Sequence, residues 1–210
     1  MKKTFVLVVL FILPLVAYLF FASGINNFGK LPVLTAQVAD ISEINPEFTF
    51  ADKITILGFL GNKPEIKKGN VFNLNQKIYK PFYEFNDFQV IMLAAQGTED
   101  KVQIIEEELS GFTDTRNYHF VFASEAQIRS LFTSLETSLS LDEDLGSKYV
   151  FIIDKDKQLR GRDQDEDEGM KYGFDATSVA DLNNKMEDDV KIILAEYRLA
   201  LKKNTAKREN

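Results

Sequence analysis

Three stretches of this chain hold side chains of the kinds that do chemistry. The first is basic: Lys63, Lys67 and Lys68 lie in Gly61–Asn70, after a β-rich run and before a helical pattern. Phosphate-binding loops share that strand–loop–helix form, using backbone amides and one lysine to surround the phosphates. A Walker A loop requires G-x-x-x-x-G-K-[ST]. Here Gly61 and Gly69 are eight positions apart, and Asn70-Val71 stands in place of Lys-Ser/Thr. Nucleotide binding is rejected on that spacing. A weaker attraction of an anionic group to lysines near a helix N-terminus survives, against the plainer reading of a solvated loop.

His119 is the sole histidine. An imidazole can serve as base or metal ligand, but it needs partners, and Tyr118 and Phe120 beside it point to packing. The third stretch, Asp163-Gln164-Asp165-Glu166-Asp167-Glu168, opens like a calcium loop. An EF-hand needs Gly at its sixth position and a bidentate Glu at its twelfth. Counted from Asp163, those places hold Glu168 and Phe174. The pattern fails twice, and a solvated, mobile acidic loop is the simpler reading. With one histidine and no nucleophile-elbow motif, no Ser-His-Asp set is assembled.

An absence narrows the chemistry further. The chain has no cysteine, which excludes disulfides, thiolate metal sites, a cysteine nucleophile and dithiol exchange. Its net charge of −7 over 210 residues argues against nucleic acid, whose binders present a basic face. Hydrophobic content of 45% and 18 Phe without Trp imply one folded domain with a Phe-rich core.

The elements that must position these residues follow an uncharged run. Met1-Lys2-Lys3-Thr4 is a basic lead, and Phe5–Ala22 has no charge. That length is near the lower limit for a spanning helix, and Lys2 and Lys3 favour a cytoplasmic N-terminus. Residues 1–24 read as a transmembrane anchor. The competing reading is a cleaved signal, with Ala22-Ser23-Gly24 as its small-residue site. Residues 25–52, with Gly24 just before and Gly29, Pro32 and Pro46 within, read as a tether with short extended pieces such as Pro32–Leu34 and Phe48–Phe50.

From residue 53 the pattern alternates. Ile54–Leu57 is a strand run; Asn70 is placed to cap a helix carrying Val71, Leu74, Ile78 and Phe82 on one face. Phe88–Ala95 suits a central strand. A helix opening at Thr98 or Glu99 turns Val102, Ile105 and Leu109 inward and stops at Gly111. Tyr118–Ala123 is a strand, and Ser124-Glu125-Ala126-Gln127 fits the capping box. Tyr149–Ile153 is an unbroken apolar strand, Asp154–Lys157 a turn, and Gln158–Arg160 a polar return strand taken as the outer one. A last helix starts at Thr177 or Ser178 and presents Leu182, Met186, Val190, Ile193, Leu194 and Tyr197 on one face; the basic tail, 202–210, is expected to fray. Right-handed crossovers then give a largely parallel sheet with helices on both faces and an antiparallel terminal hairpin.

That order resembles the thioredoxin fold, and more narrowly the Sco/SenC family of membrane-anchored copper chaperones and thiol reductases. The resemblance rests on the N-terminal apolar segment, on Lys30-Leu31-Pro32-Val33-Leu34, and on Asn117–Ala123 leading into a capped helix. Its most specific part is Tyr149–Gly161, similar to Phe-Leu-Ile-Asp-x-x-Gly-x-Ile-Arg-Gly, followed by Asp181–Tyr197 as the closing helix. It spans about residues 30–200. The resemblance implies an α/β, thioredoxin-like three-layer sandwich with a mixed central sheet, residues 53–201, preceded by one transmembrane helix. It also implies a Cys-x-x-x-Cys pair within what is here Gly61–Asn70, and a metal histidine near Gly146. Neither is present, and no proline follows Pro81, where thioredoxins place a cis-proline.

The reading is a membrane-anchored, periplasm-facing relative without redox chemistry, cofactor or metal. It would be an accessory to an envelope or respiratory complex, held in the membrane through residues 5–22 and bound to an envelope protein, with no nucleic acid. Partner contact is placed on Lys63, Lys67 and Lys68 and on Asp163, Asp165 and Asp167, because loops over a rigid sheet carry recognition. The alternative is a metal carrier or enzyme using His119 and carboxylates.

Overall fold

The computed structural model describes residues 10–16 and 30–208. Its strands are β1 (Val33–Thr35), β2 (Ile54–Gly61), β3 (Phe88–Ala95), β4 (Tyr118–Ala123), β5 (Tyr149–Ile153), β6 (Leu159–Arg160), β7 (Arg162–Asp165), β8 (Gly169–Lys171) and β9 (Phe174–Asp175). The longer helices are α1 (Lys68–Leu74), α2 (Glu99–Ser110), α3 (Glu125–Ser134) and α4 (Glu187–Arg208). Helix α1 continues through a π turn, Asn75–Tyr79, and α4 is led in by Val179–Asp181 and a second π turn, Leu182–Met186.

The main sheet runs β1-β6-β5-β2-β3-β4, with β9 added to β5. Strands β2, β3 and β4 are parallel, while β5 is antiparallel to β2 and β6. Strands β2 and β3 are buried along their whole lengths, as near-continuous apolar parallel strands require. Alternate residues serve two cores. Ile54, Ile56, Leu60, Val90, Met92 and Ile152 meet α1, α2 and α4 on one side. Leu57, Phe59, Ile91, Leu93, Phe151 and Ile153 meet α3 and the 38–50 segment on the other. The period-2 pleat thus makes three layers from one apolar sequence. Thr98 and Gly111 bound α2, and the Ser124 capping box closes the start of α3.

Several expectations need correction. The described part of the 25–52 tether is packed against the domain. Leu31, Val38, Ile41 and Phe50 are buried, and β1 pairs with β6, so β6 is not the outer strand. The segment shows no periodicity because it is folded by Asp40, which accepts the N–H groups of Ser42 and Phe50 and the Thr49 hydroxyl. The helix assigned to an Asn70 cap begins earlier, with a 3-10 turn at Pro64–Lys67 running into Lys68. Pro64 opens it because its fixed φ suits a first helical turn. The acidic loop is a β7–β8 hairpin tied down by lysines and an arginine. Helix α4 runs through the basic tail as far as Arg208. Residues 10–16 are helical; the rest of the expected 5–22 span lies outside the described residues. Among the described residues no helix is long and apolar enough to cross a membrane.

Candidate functional site

The C-terminal end of β2 is where the sequence places its basic stretch and the segment around Gly146 closes over it. Asn62 N–H donates to the Asp144 carbonyl (2.7 Å) and Ser147 N–H to that of Phe59 (2.9 Å), so 142–147 lies against the strand end. Gly61 turns the chain at φ +67°, and a Cβ there would strike the Asp144 carbonyl and stand 2.6 Å from Gly146 N. Only glycine fits both demands.

Lys67 then lies across Gly146. A Cβ on Gly146 would collide with Lys67 Cε, so the absent side chain is the channel the lysine stem uses. Its ammonium reaches Asp142 at 2.5 Å, with the lysine side chain 13% exposed and the carboxylate 46%. The same carboxylate accepts the N–H groups of Gly146 (2.8 Å) and Asp144 (3.0 Å). Partial burial opposes the ionised form of Asp142, but Lys67 and these two amides outweigh it and hold the carboxyl below its usual range.

The other two predicted lysines are also engaged within the chain. Lys63 pairs with Asp144 at 3.1 Å, and Lys68 with Glu108 at 2.6 Å while lying over the Phe72 ring. Glu65 and Lys101 (2.8 Å) and the edge-to-face contact of the Phe72 and Phe112 rings close the seam between α1 and α2. Ile66, at 68% exposure, stands out from this seam, as do Ile104 and Phe112. Sequence reasoning missed Asp142, Asp144 and Glu108. Lys67 and Asp142 are 75 positions apart, and no local pattern links such residues.

The predicted acidic residues lie in a separate group. Asp165 is buried and accepts from Lys185 at 2.8 Å; Asp167 shares that lysine at 2.7 Å. Asp163 is exposed on β7. Among the described residues no hydrogen bond or ion pair joins this group to Lys63, Lys67 or Lys68. Simple strand alternation would put Asp163 and Asp165 on one face; the register shift between Arg162 and Asp165 breaks that alternation, and Asp165 turns inward while Asp163 stays exposed.

His119 sits on β4 opposite Ile91, its ring 4.8 Å from that of Phe48. Burial, with a smaller contribution from Lys53, pushes its pKa below the ordinary imidazole value. No His, Cys, Asp or Glu cluster among the described residues could hold a metal ion, so the residues named for a carrier or enzyme are not brought together. Copper, implied by the Sco/SenC resemblance, does not fit the place where its ligands would be: that place holds Gly146, a lysine ammonium and no thiol.

No protein-family model matches the chain, and no curated protein matches it. Solved structures do resemble it. Copper-bound ScoI from Arabidopsis thaliana is 17% identical, over 68% of this chain and 86% of that one, with a TM-score of 0.44. The apo Sco1 protein from Thermus thermophilus is 12% identical, over 80% and 97%, at 0.45. The thioredoxin domain of a thiol-disulfide oxidoreductase from Bacteroides vulgatus is 14% identical, over 77% and 95%, at 0.41. These neighbours are two Sco proteins and the thioredoxin domain of an oxidoreductase; by its own sheet and helices this chain is a mixed α/β, three-layer domain, and it has no cysteine. At these identities and scores the neighbours bring no ligand, activity or partner with them.

Proposed function

We propose that the protein is a membrane-anchored, periplasm-facing accessory protein that works by binding an envelope protein, without catalysis. One observation carries this reading: Lys67 lies over Gly146 and is tied to Asp142, where a redox or copper-carrying relative would need thiols and a histidine. A cation seated on a carboxylate repels a metal ion and offers no electron pair to a disulfide. Dithiol exchange is closed to a chain without cysteine. Lys2 and Lys3 before the uncharged Phe5–Ala22 run support the anchor and its orientation.

Partner contact belongs to the exposed edge of this site, Lys63 and Ile66, with the outward residues Asp163 and Asp167 of the β7–β8 hairpin as a second contact. An isoleucine two-thirds exposed beside a rigid strand end is a better anchor than Lys67 or Lys68, whose ammonium groups are held by partners in the same chain. The test is affinity purification of the full chain from gently solubilised membranes, comparing wild type with Ile66→Asp and Lys63→Glu. Loss of one copurifying protein in both variants is the expected result. Unchanged copurification removes this edge as the contact. Tight stoichiometric copper or zinc uptake by the wild-type chain would replace the binding role with a carrier role.

A further inference from the structure

We infer that the end of the domain opposite Gly61, together with the helix that leaves it, is a contact surface for an anionic phospholipid bilayer. This deepens the anchored reading above and rests on it.

Three features meet at that end. The first is a cleft of about 260 Å³ whose walls are Ile54, Phe85, Leu194 and Tyr197, with Lys155 and Arg198 among its polar lining. Phe85 is 45% exposed, and Lys155 stands 5.4 Å from the centre of the Tyr197 ring. Aromatic and aliphatic groups beside long cationic side chains suit a headgroup boundary, where rings enter the apolar layer and ammonium groups stay wet. Asp87, paired with Lys155, also lies in this lining.

The second is charge. Helix α4 continues from Arg198 to Arg208, about 15 Å of helix. This stretch contains Arg198, Lys202, Lys203, Lys207 and Arg208 and no Asp or Glu, in a chain whose net charge is −7. The sequence thus concentrates positive charge in the last stretch of α4, in a chain that is acidic as a whole. Such polybasic segments are drawn to anionic lipid and add to the hold of an apolar segment.

The third is chain direction. Lys30, the first residue of the main described body, has its ammonium 4.0 Å from Glu196, two positions before Arg198. Lys30, eight positions after the end of the uncharged Phe5–Ala22 run in the sequence, therefore lies beside the same helix. Phospholipid is favoured over nucleic acid because the basic stretch follows directly on an apolar cleft that Leu194, Tyr197 and Arg198 line, and because the chain beside it continues in sequence toward the uncharged Phe5–Ala22 run. Strand β2 separates this end from Gly61 by about 23 Å, so seating it on the bilayer would hold Lys63 and Ile66 away from the membrane.

The chain's lack of cysteine makes the test direct. Full-length protein carrying Lys203→Cys or Phe85→Cys, labelled with a fluorophore, is reconstituted into lipid nanodiscs containing a nitroxide-bearing lipid. Lys63→Cys serves as the label at the far end. Both test labels are expected to lose fluorescence in discs containing phosphatidylglycerol and much less in phosphatidylcholine discs. The Lys203 label should recover in about 0.5 M salt, and the Lys63 label should stay bright throughout. Lys202→Glu with Lys207→Glu and Arg208→Glu should abolish the lipid dependence. Equal quenching in neutral and anionic discs, with the protein incorporated in both, overturns the proposal while leaving the anchor intact. Failure to incorporate into either disc removes the anchor, and this surface with it. A Lys203 response to duplex DNA in lipid-free solution that equals the response to anionic discs would reassign the basic helix to nucleic acid.

Discussion

Two cations of this domain, Arg160 and Lys67, show how burial decides what a charge is for. Arg160 is 4% exposed and Asp154 fully buried. The guanidinium reaches the Leu31 carbonyl at 2.5 and 2.8 Å, Asp154 at 2.8 Å and Glu196 at 2.7 Å. A planar fork with several donors can satisfy such a set, and one buried charge thereby joins the N-terminal segment, the β5–β6 hairpin and α4. Lys67, at the other end of β2, has a single half-exposed carboxylate. Its environment tolerates water, so the pair fills the space over Gly146 more than it holds the fold. The first region is a junction and the second a plug.

The largest expected effect would break the junction. Arg160→Met leaves the Asp154 carboxylate buried without its counter-charge and should cost about 3–5 kcal/mol in urea unfolding. Adding Asp154→Asn should recover part of that loss. A cost near that of an exposed ion pair would erase the distinction between the two regions.

Gly146→Ala comes next, at about 1–3 kcal/mol, because its Cβ would displace the Lys67 stem. Lys67→Ala in the same chain should restore most of the difference in a double-mutant cycle. Additive effects would show that Lys67 does not depend on the space over Gly146.

Lys67→Met alone should cost about 0.5–1 kcal/mol, the range of a solvent-screened pair. It also has a pH signature. The carboxyl of Asp142 titrates below its unfolded value of 3.8, so its contribution is present above that pH and lost as pH falls through the folded value. Acid unfolding below pH 3.8 should therefore be shallower in the variant, measured as stability against pH. An unchanged acid limb would assign the shift to the Gly146 and Asp144 amides.

His119→Phe should have the smallest effect at neutral pH. The folded pKa lies below the ordinary 6.5, so wild-type stability is complete above 6.5 and declines as pH falls toward the folded value. With phenylalanine keeping the contact with Phe48, that slope should vanish. A persistent slope would move it to other groups.

Much of the fold was legible because it is local. The Ser124–Gln127 capping box, the Thr98 and Gly111 boundaries and the apolar period of Val71, Leu74, Ile78 and Phe82 are set by neighbours within one or two turns. The 31–52 segment was not legible. Its anchors Val38, Ile41 and Phe50 obey no period and make sense only against a sheet surface assembled later in the chain. The candidate site divides the same way. Its place at the end of β2 followed from the strand–helix order. The engagement of Lys63, Lys67 and Lys68 by Asp144, Asp142 and Glu108 did not, since those carboxylates lie far along the chain.

By itself the amino-acid sequence determined the order of elements, the layered pattern of apolar faces and the absence of thiol chemistry, because each depends on residue type and near-neighbour spacing. Only the tertiary structure decided that Asp165 turns inward, that a presumed tether is part of the domain, and that Lys67 runs over Gly146 to Asp142. Those outcomes depend on which distant backbone approaches closely enough to exclude a Cβ or water, and chain closure supplies that information.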